Sequence, residues 1–293
     1  RYDGFGFTNY TQTTQPGESF RSAISALVED STRQIWVGAY NVGLLRLRPD
    51  STTLERVPLD EGAPGNVHAL LADAKRGLWV GGDRGLALID PGSGALKQSW
   101  ALPTARAGTI VRQLCLTADG TLWIGTSNGL WKLTATTAQA QAVDSVQLSI
   151  VSALQVDGNG HLHIGTPDGL YGIDEQGQVE RQWPAAGTAN ISAIAQDRQQ
   201  QLWLAVAGRG IAILDPTTQR TRWLQPDPLT PGSLPDATVT LLMLDRSGLM
   251  WVGTHDRGLS RTDSAGTPFR YLVDHNDIGQ SGRRNDIRAL AAD

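Results

Sequence analysis

The sequence contains little of several residue types that particular classes of protein require. One cysteine, Cys115, occurs in 293 residues, so an intrachain disulfide and a cysteine-based zinc site are both excluded. The net charge is −4 and the pI about 5.7, which argues against nucleic acid as a partner because binding phosphates needs a basic face. No apolar run reaches the roughly eighteen residues of a membrane-spanning helix, so membrane attachment is expected only through segments outside this chain.

Glycine and tryptophan are plentiful, with 33 and 9 residues, and both recur in one repeated phrase. Six copies of this phrase, of the general form L-W-V-G-T-x-x-G-L, follow one another at intervals of 40 to 48 residues. They are centred on Trp36, Trp79, Trp123, His163, Trp203 and Trp251. Six copies at a near-constant period indicate a repeat architecture.

Each repeat contains four short segments rich in Val, Ile, Leu and Trp, separated by Gly, Asp, Asn or Pro. Such segments predict strands joined by tight turns, and a four-stranded unit of this length has the size of a propeller blade. The sequence therefore predicts an all-β propeller of about seven-fold symmetry with six complete antiparallel blades. The blades are expected at 21–60, 64–103, 108–146, 148–184, 188–226 and 236–275. Partial strands at 1–12 and 284–293 are expected to share a seventh blade between the two termini.

An aspartate ends the first strand of most repeats, and two interpretations of it are open. The residues concerned are Asp30, Asp73, Asp157, Asp197, Asp245 and Asp293, while Thr117 takes this place in the third repeat. A ring of carboxylates is one way to bind a cation. Alternatively, each aspartate caps its own D-x-x-G turn by accepting backbone N–H groups. Recurrence in nearly every repeat favours the cap, because binding sites usually involve only a few repeats.

The histidines provide a weak indication of a metal site. His161 and His163 are two residues apart on a predicted strand, so both side chains share one face. Two such histidines form half of a metal site, but no third ligand is indicated. His163 occupies the tryptophan position of its repeat and is expected to be a buried substitute. No cofactor, metal ligand or catalytic residue is predicted, because neither a Ser-His-Asp order nor a nucleophile elbow is present.

The residues that vary most between repeats lie in the turn inside the main phrase. Successive antiparallel strands place these turns on one rim, together with the links between blades. The candidate ligand-binding residues are Tyr40, Asn41, Asp83, Arg84, Asn128, Asp168, Arg209, His255, Asp256 and Arg257. A rim of mixed polar side chains suits a small polar ligand such as an oligosaccharide, although each residue taken singly is also an ordinary turn residue.

The whole repeat, I-x-A-L-x-x-D-x-x-G-x-L-W-V-G-T-x-x-G-L, resembles that of the two-component-regulator propeller family. The opening RYDGFGFTNYTQ (1–12) is similar to the end of a blade in that family, and residues 224–245 are similar to its link between blades. The resemblance implies the periplasmic sensor region of a bacterial inner-membrane receptor. A histidine kinase, hybrid kinase or diguanylate cyclase (GGDEF) output would then lie outside this chain, which would be a fragment of a larger receptor without enzymatic activity of its own.

Two other functions stay open on the sequence alone. One is a propeller enzyme, a lyase or hydrolase that acts on polysaccharide, and clustered carboxylates around the axis would favour it. The other is a protein–protein interaction scaffold. For the sensor, the expected partners are a small polar ligand and a second copy of the chain that pairs through the propeller.

Overall fold

The regular structure of the described residues consists of β-strands. The computed structural model describes residues 8, 10, 22–59, 63–102, 108–137, 139–143, 148, 150–173, 179–182 (backbone only), 190–264, 268–272 and 287–291. In chain order the strands are β1 (Ile24–Glu29), β2 (Ile35–Ala39), β3 (Gly43–Leu47), β4 (Glu55–Val57), β5 (Val67–Asp73), β6 (Gly77–Gly82), β7 (Gly85–Ile89), β8 (Leu96–Trp100), β9 (Val111–Leu116), β10 (Leu122–Thr126), β11 (Gly129–Leu133), β12 (Gln141–Ala142), β13 (Ala153–Val156), β14 (Leu162–Thr166), β15 (Gly169–Ile173), β16 (Val179–Gln182), β17 (Ile191–Gln196), β18 (Leu202–Val206), β19 (Gly210–Leu214), β20 (Thr221–Leu224), β21 (Val239–Leu244), β22 (Met250–Thr254), β23 (Leu259–Thr262) and β24 (Arg270–Leu272).

These strands form six antiparallel sheets of four strands, each with its strands in chain order. The sheets are the blades of a β-propeller, which confirms the predicted all-β class and the predicted blade. The chain divides into two compact units. The first unit contains the blades β1–β4 and β5–β8, and the second contains the blades β9–β12, β13–β16, β17–β20 and β21–β24.

The register within each blade places the repeated tryptophan at the centre of one face. Trp36 on β2 lies opposite Val28 on β1 and Arg46 on β3. The Arg46 guanidinium lies 5.6 Å from the centroid of the Trp36 ring. Trp123 and Lys132 repeat this arrangement in the third blade at 5.9 Å. A cation over the ring adds an attraction to the hydrophobic burial of the indole.

Neighbouring blades within each unit meet through this tryptophan face. In the first unit, Trp36 is fully buried in a cluster with Leu78 and Val80 of the next blade. In the second unit, Trp123 clusters with residues of β14, and Trp203 clusters with residues of β22. Each buried aromatic side chain removes roughly 150–250 Å² from water, which makes this repeated contact the main hydrophobic contribution to blade stacking.

The glycine that follows the tryptophan phrase marks the closest approach between blades. A Cβ atom at Gly125 would lie 2.6 Å from Cγ1 of Val151, the residue that leads into the inner strand of the next blade. At Gly165 it would lie 2.8 Å from Cγ2 of Ile191. The fifth blade has the fully buried Ala205 at this position, in a cluster with Val239 of the sixth blade. A side chain larger than hydrogen therefore fits at this position only where the neighbouring blade packs differently, as it does around Ala205.

The expected seventh blade stays a prediction. Of the predicted strand 1–12, only Thr8 and Tyr10 are among the described residues, and 284–286 and 292–293 lie outside them. Residues 287–291 are not assigned to a strand, and the strand predicted over 284–293 stays a prediction. Ile287 nevertheless docks on the sixth blade. Its N–H donates to the Thr254 carbonyl at 3.1 Å, as the Val151 N–H donates to Thr126 at 2.9 Å.

Substitution of Gly165 by alanine tests the close approach of the fourth and fifth blades. We expect the free energy of unfolding to fall by about 1–3 kcal/mol, since the new methyl group would overlap Ile191. Urea unfolding followed by tryptophan fluorescence measures this loss. The control is Gly92→Ala, whose Cβ would meet its nearest neighbour at an ordinary 3.4 Å and should change stability by less than about 0.5 kcal/mol. Equal losses in both variants would contradict the proposed contact.

Candidate functional site

The recurring aspartates each bond to their own turn. One carboxylate oxygen of Asp30 accepts the backbone N–H groups of Thr32 at 2.8 Å and Gln34 at 3.1 Å. Asp197 accepts those of Gln199 and Gln201, both at 2.9 Å. The interpretation as turn caps is therefore confirmed for Asp30, Asp73, Asp157, Asp197 and Asp245, whereas Asp293 lies outside the described residues. Among the described residues, no group of three or more His, Cys, Asp or Glu side chains is arranged to hold a metal ion.

The second carboxylate oxygen has a role that sequence reasoning missed. It accepts the indole N–H of the tryptophan six residues later, at 2.7 Å from Trp36, 3.3 Å from Trp79, 2.9 Å from Trp203 and 2.7 Å from Trp251. We call the hydrogen bond between the indole and this carboxylate, which also caps the turn, the Asp–Trp bridge. The constant spacing of six residues between aspartate and tryptophan was the signal in the sequence. A buried indole N–H needs such an acceptor.

Three of the bridging carboxylates have a lowered pKa. Burial by itself would raise the pKa of Asp30, but hydrogen bonds from Thr32, Trp36 and the Gln34 backbone outweigh burial and lower it. For Asp73 and Asp245, burial is likewise outweighed by the donors around each carboxylate, and the pKa is lowered. These groups therefore carry structural charges at neutral pH.

The fourth blade replaces the bridge with a histidine pair. His163 is 3% exposed, and its Nε2 lies 3.3 Å from Oδ2 of Asp157. Nδ1 of His161 lies 3.3 Å from the same oxygen. The expectations that His163 is a buried substitute for tryptophan and that both rings share a face are confirmed. Burial would raise the pKa of Asp157, but the backbone N–H groups of His161 and Asn159 and the charge of His163 lower it.

The third blade lacks the bridge. Thr117 donates its hydroxyl proton to Asp119 at 2.5 Å, and Asp119 caps the turn through the Thr121 N–H at 3.0 Å. The hydrogen bond from Thr117 contributes most to lowering the pKa of Asp119. The buried indole N–H of Trp123 has no hydrogen-bond acceptor among the described residues. The departure noted in the sequence at Thr117 thus changes the hydrogen bonding of its blade.

The rim of the first unit brings several predicted residues together. The Asn41 N–H donates to Oδ1 of Asn66 at 2.9 Å, and Nδ2 of Asn66 donates to Oδ2 of Asp83 at 3.0 Å. Oδ1 of Asp83 accepts the N–H groups of Gly65 and Asn66, both at 3.0 Å. These bonds connect the β2–β3 turn to the β6–β7 turn through the link that precedes β5.

Two rings lie on the same rim, and one of them was not predicted. The Tyr40 and His68 ring centroids are 5.2 Å apart in an edge-to-face arrangement. His68 sits at an irregularity between Val67 and Ala69 in the register of β5, where a bulge re-aims a side chain. Sequence reasoning missed Asn66 and His68 because it searched the turns between strands and not the start of the inner strand.

In the second unit, the predicted rim residues contact parts of their own blade. The hydroxyl of Thr126 accepts the Asn128 N–H at 3.0 Å and donates to the Gly129 carbonyl at 2.8 Å, which closes the turn. Thr166 closes the turn at Asp168 in the same way.

Four further contacts involve predicted residues of this rim. The Asn128 amide donates to the Thr109 hydroxyl at 3.0 Å, and the Arg209 guanidinium lies 4.3 Å from the Trp223 ring centroid. Nδ1 of His255 lies 3.0 Å from Oδ1 of Asp256, and the Arg257 N–H donates to Thr254 at 3.1 Å.

Two segments identify the repeat family. Residues 106–128 and 233–256 match the sequence profile described as the two-component regulator propeller. These two segments are therefore two-component regulator propeller repeats. The resemblance noted from the repeated phrase is thereby confirmed. None of the curated proteins matches the chain significantly.

Solved structures with the same propeller fold include extracellular domains of bacterial two-component and one-component systems and a lyase. The extracellular domain of the hybrid two-component system BT3049 from B. thetaiotaomicron has a TM-score of 0.72 at 18% identity, covering 90% of this chain and 35% of that one. The extracellular domain of the one-component system BT4673 from the same organism has a TM-score of 0.59 at 19% identity, covering 87% of this chain and 44% of that one.

A third neighbour is virginiamycin B lyase from Staphylococcus aureus, with a TM-score of 0.71 at 13% identity, covering 93% of this chain and 89% of that one. At these identities the likeness shows the fold. This chain spans 35% and 44% of the lengths of the two extracellular domains. Within the described part of the chain, no helix has the length and apolarity needed to cross a membrane.

A double-mutant cycle tests the Asp–Trp bridge. We expect Asp197→Ala and Trp203→Phe to couple by about 1–2 kcal/mol in the free energy of unfolding, because each removes one partner of the same buried hydrogen bond. Asp119→Ala with Trp123→Phe is the matched control. It should show no coupling, since no hydrogen bond joins that pair. Equal coupling in both cycles would contradict the bridge.

The lowered aspartate pKa values predict acid sensitivity. Asp30, Asp73, Asp157 and Asp245 have lower pKa values in the folded chain than the roughly 3.9 of an unfolded one. Their contribution to stability is therefore complete above about pH 5 and is lost as the pH falls through their folded values. Urea unfolding at pH 7, 5 and 3 measures this. A free energy of unfolding that did not fall between pH 5 and pH 3 would contradict it.

Proposed function

We propose that the chain is the extracytoplasmic ligand-sensing propeller of a bacterial membrane-bound signalling receptor. The observation that carries the proposal is the match of residues 106–128 and 233–256 to the two-component regulator propeller. Two extracellular domains of bacterial signalling systems share its fold over about nine tenths of this chain, which supports the same assignment. The chain is then the periplasmic part of a longer receptor, with a histidine kinase or diguanylate cyclase output elsewhere in that protein.

The ligand site is assigned to the rim formed by the turns between the second and third strands of the blades. Four of the described blades share the Asp–Trp bridge, and the tryptophan and the glycine of the repeated phrase each recur in five, whereas the rim side chains differ from blade to blade. Variable side chains on a rigid scaffold are the usual way in which a repeat fold acquires specificity. A small polar ligand suits the Asp, Asn, Arg, His and Tyr side chains on this rim.

The geometry of the site gives little support to an enzymatic function. Virginiamycin B lyase shares the fold, but fold does not determine chemistry. The carboxylates that recur in the blades bond to turn N–H groups and, in four of the blades, to an indole. A carboxylate with these structural donors is poorly placed to act as a general acid or base on a substrate.

Signalling from such a domain would use movement of the whole propeller. Each buried bridge and ring contact resists internal deformation, so a ligand would act by favouring one arrangement of a receptor dimer over another. Pairing of two copies through the propeller is part of this proposal. The energy available is limited to the difference in ligand affinity between the two arrangements.

Membrane topology of the intact receptor tests the proposal directly. We expect protease added to spheroplasts to digest the propeller of the full-length protein, because the domain would face the periplasm. A cytoplasmic marker protein should survive the same treatment. Protection of the propeller until the spheroplasts are lysed would contradict the sensor and favour the scaffold.

Thermal melting tests whether the rim is the binding face. A ligand at about one hundred times its Kd should stabilise the purified chain by about 2.7 kcal/mol, because it binds only the folded state. The panel contains oligosaccharides, amino acids and metal ions. Alanine substitutions at the ten candidate rim residues should remove the shift at one or more positions. Gln199→Ala, in the exposed turn at the other end of its blade, serves as the control and should retain it.

A further inference from the structure

One part of the rim combines rigid backbone with unused polar groups. We define the first rim patch as Tyr40, Asn41, His68, Asp83 and Arg84, all within the first compact unit. Tyr40 and Asn41 belong to the β2–β3 turn, and Asp83 and Arg84 form the β6–β7 turn. His68 comes from the inner strand β5. The patch thus draws on two neighbouring blades.

The backbone of this patch is held in place before any ligand arrives. Asp83 accepts three N–H groups from Gly65 and Asn66, and Asn66 in turn accepts the Asn41 N–H. A Cβ atom at Gly65 would lie 3.5 Å from Nε of Arg84, so the arginine side chain runs over a position without a side chain. A preorganised loop loses less conformational entropy on binding than a mobile one.

Three polar groups on this rigid patch remain available. The Tyr40 hydroxyl, the Asn41 carboxamide and the Arg84 guanidinium have no hydrogen-bond partner among the described residues. Asn41 and Arg84 are exposed, while Tyr40 and His68 are half-buried and present ring surface. At the corresponding turn of the fifth blade, by contrast, the Arg209 guanidinium is already stacked on Trp223.

The charges select the chemistry of the ligand. Both oxygens of Asp83 already accept amide N–H groups, so this carboxylate is satisfied by the loop and forms no ion pair with Arg84. The planar guanidinium of Arg84 has a donor geometry that matches a carboxylate in a two-point hydrogen bond. The tyrosine and histidine rings offer contact area, and the Asn41 amide both donates and accepts.

We propose that the first rim patch binds the carboxylate group of a small polar ligand through Arg84. The body of the ligand packs on Tyr40 and His68, and Asn41 bonds to its hydroxyl or amide groups. This inference rests on the proposed sensor function and specifies the ligand class of its rim. A sugar acid and the C-terminus of a peptide share the required carboxylate.

Calorimetric titration of the purified chain with matched pairs of probes tests this inference. The first pair is glucuronate and glucose, which differ in a carboxylate on the same ring. The second pair is triglycine and triglycinamide, which differ in the charge of the C-terminus. Variants Arg84→Gln and Arg84→Lys are compared with Arg56→Gln, an exposed arginine on the outer strand β4 of the same unit. All four proteins are first checked for equal thermal stability without probe.

The acidic member of at least one pair should bind more tightly than its neutral partner. Arg84→Gln should weaken that binding at least about tenfold, because a charge-assisted two-point bond is lost. Arg84→Lys should keep part of the affinity that Arg84→Gln loses, and Arg56→Gln should leave the affinity unchanged. Preference for glucuronate identifies a sugar acid as the source of the carboxylate, and preference for triglycine identifies a peptide.

Two results would overturn the inference. One is the absence of binding by both acidic probes at about 10 mM, well above the range of a specific site. The other is binding that Arg84→Gln leaves unchanged. If a neutral oligosaccharide instead stabilises the chain through other rim residues, the carboxylate assignment fails while the sensor function stands. Protease protection of the propeller in spheroplasts would refute the sensor function separately.

Discussion

The bridge between an aspartate and a tryptophan six residues later is the interaction around which four of the six described blades are built. One carboxylate joins the turn between the first two strands to the indole at the centre of the blade face. The indole can then be buried without leaving its N–H unsatisfied, and the charge can be buried because several donors surround it. Blade stacking follows, since the face that packs on the next blade is the tryptophan face.

Departures from this scheme show how much variation the blades accept. The fourth blade uses His163 and the third leaves its indole without an acceptor among the described residues, yet both keep four strands and the same register. The redundancy of many similar contacts explains this tolerance, because loss of one costs only a fraction of the total. The rim turns are closed by hydrogen bonds of the backbone and of threonine hydroxyls, so their outward side chains can vary without loss of the turn. In a sensor, these variable side chains would determine ligand specificity.

Much of the fold could be predicted because period and turn chemistry are local properties. The six phrases around Trp36 to Trp251 predicted the blades, and the glycines at their turns predicted the hairpins. The candidate site was harder to predict. Asn66 and His68 lie 25 and 28 residues beyond Asn41 and Tyr40, and only the pairing of two blades brings them to the same patch. Asn190 occupies the position of Asn66 in the fifth repeat, but no other repeat has a histidine at the position of His68 that would have marked it.

The sequence by itself determined the all-β class, the four-stranded blade, the turn-capping aspartates and the burial of His163, because each follows from a spacing within one repeat. Tertiary structure decided where the glycine meets the next blade and which rim groups are already bonded. Those outcomes depend on distances between strands that are remote in sequence, and a pattern of residue types carries no such distances. For the same reason, the two rim arginines differ only in the folded chain. Arg209 is stacked on Trp223, whereas the Arg84 guanidinium has no hydrogen-bond partner among the described residues.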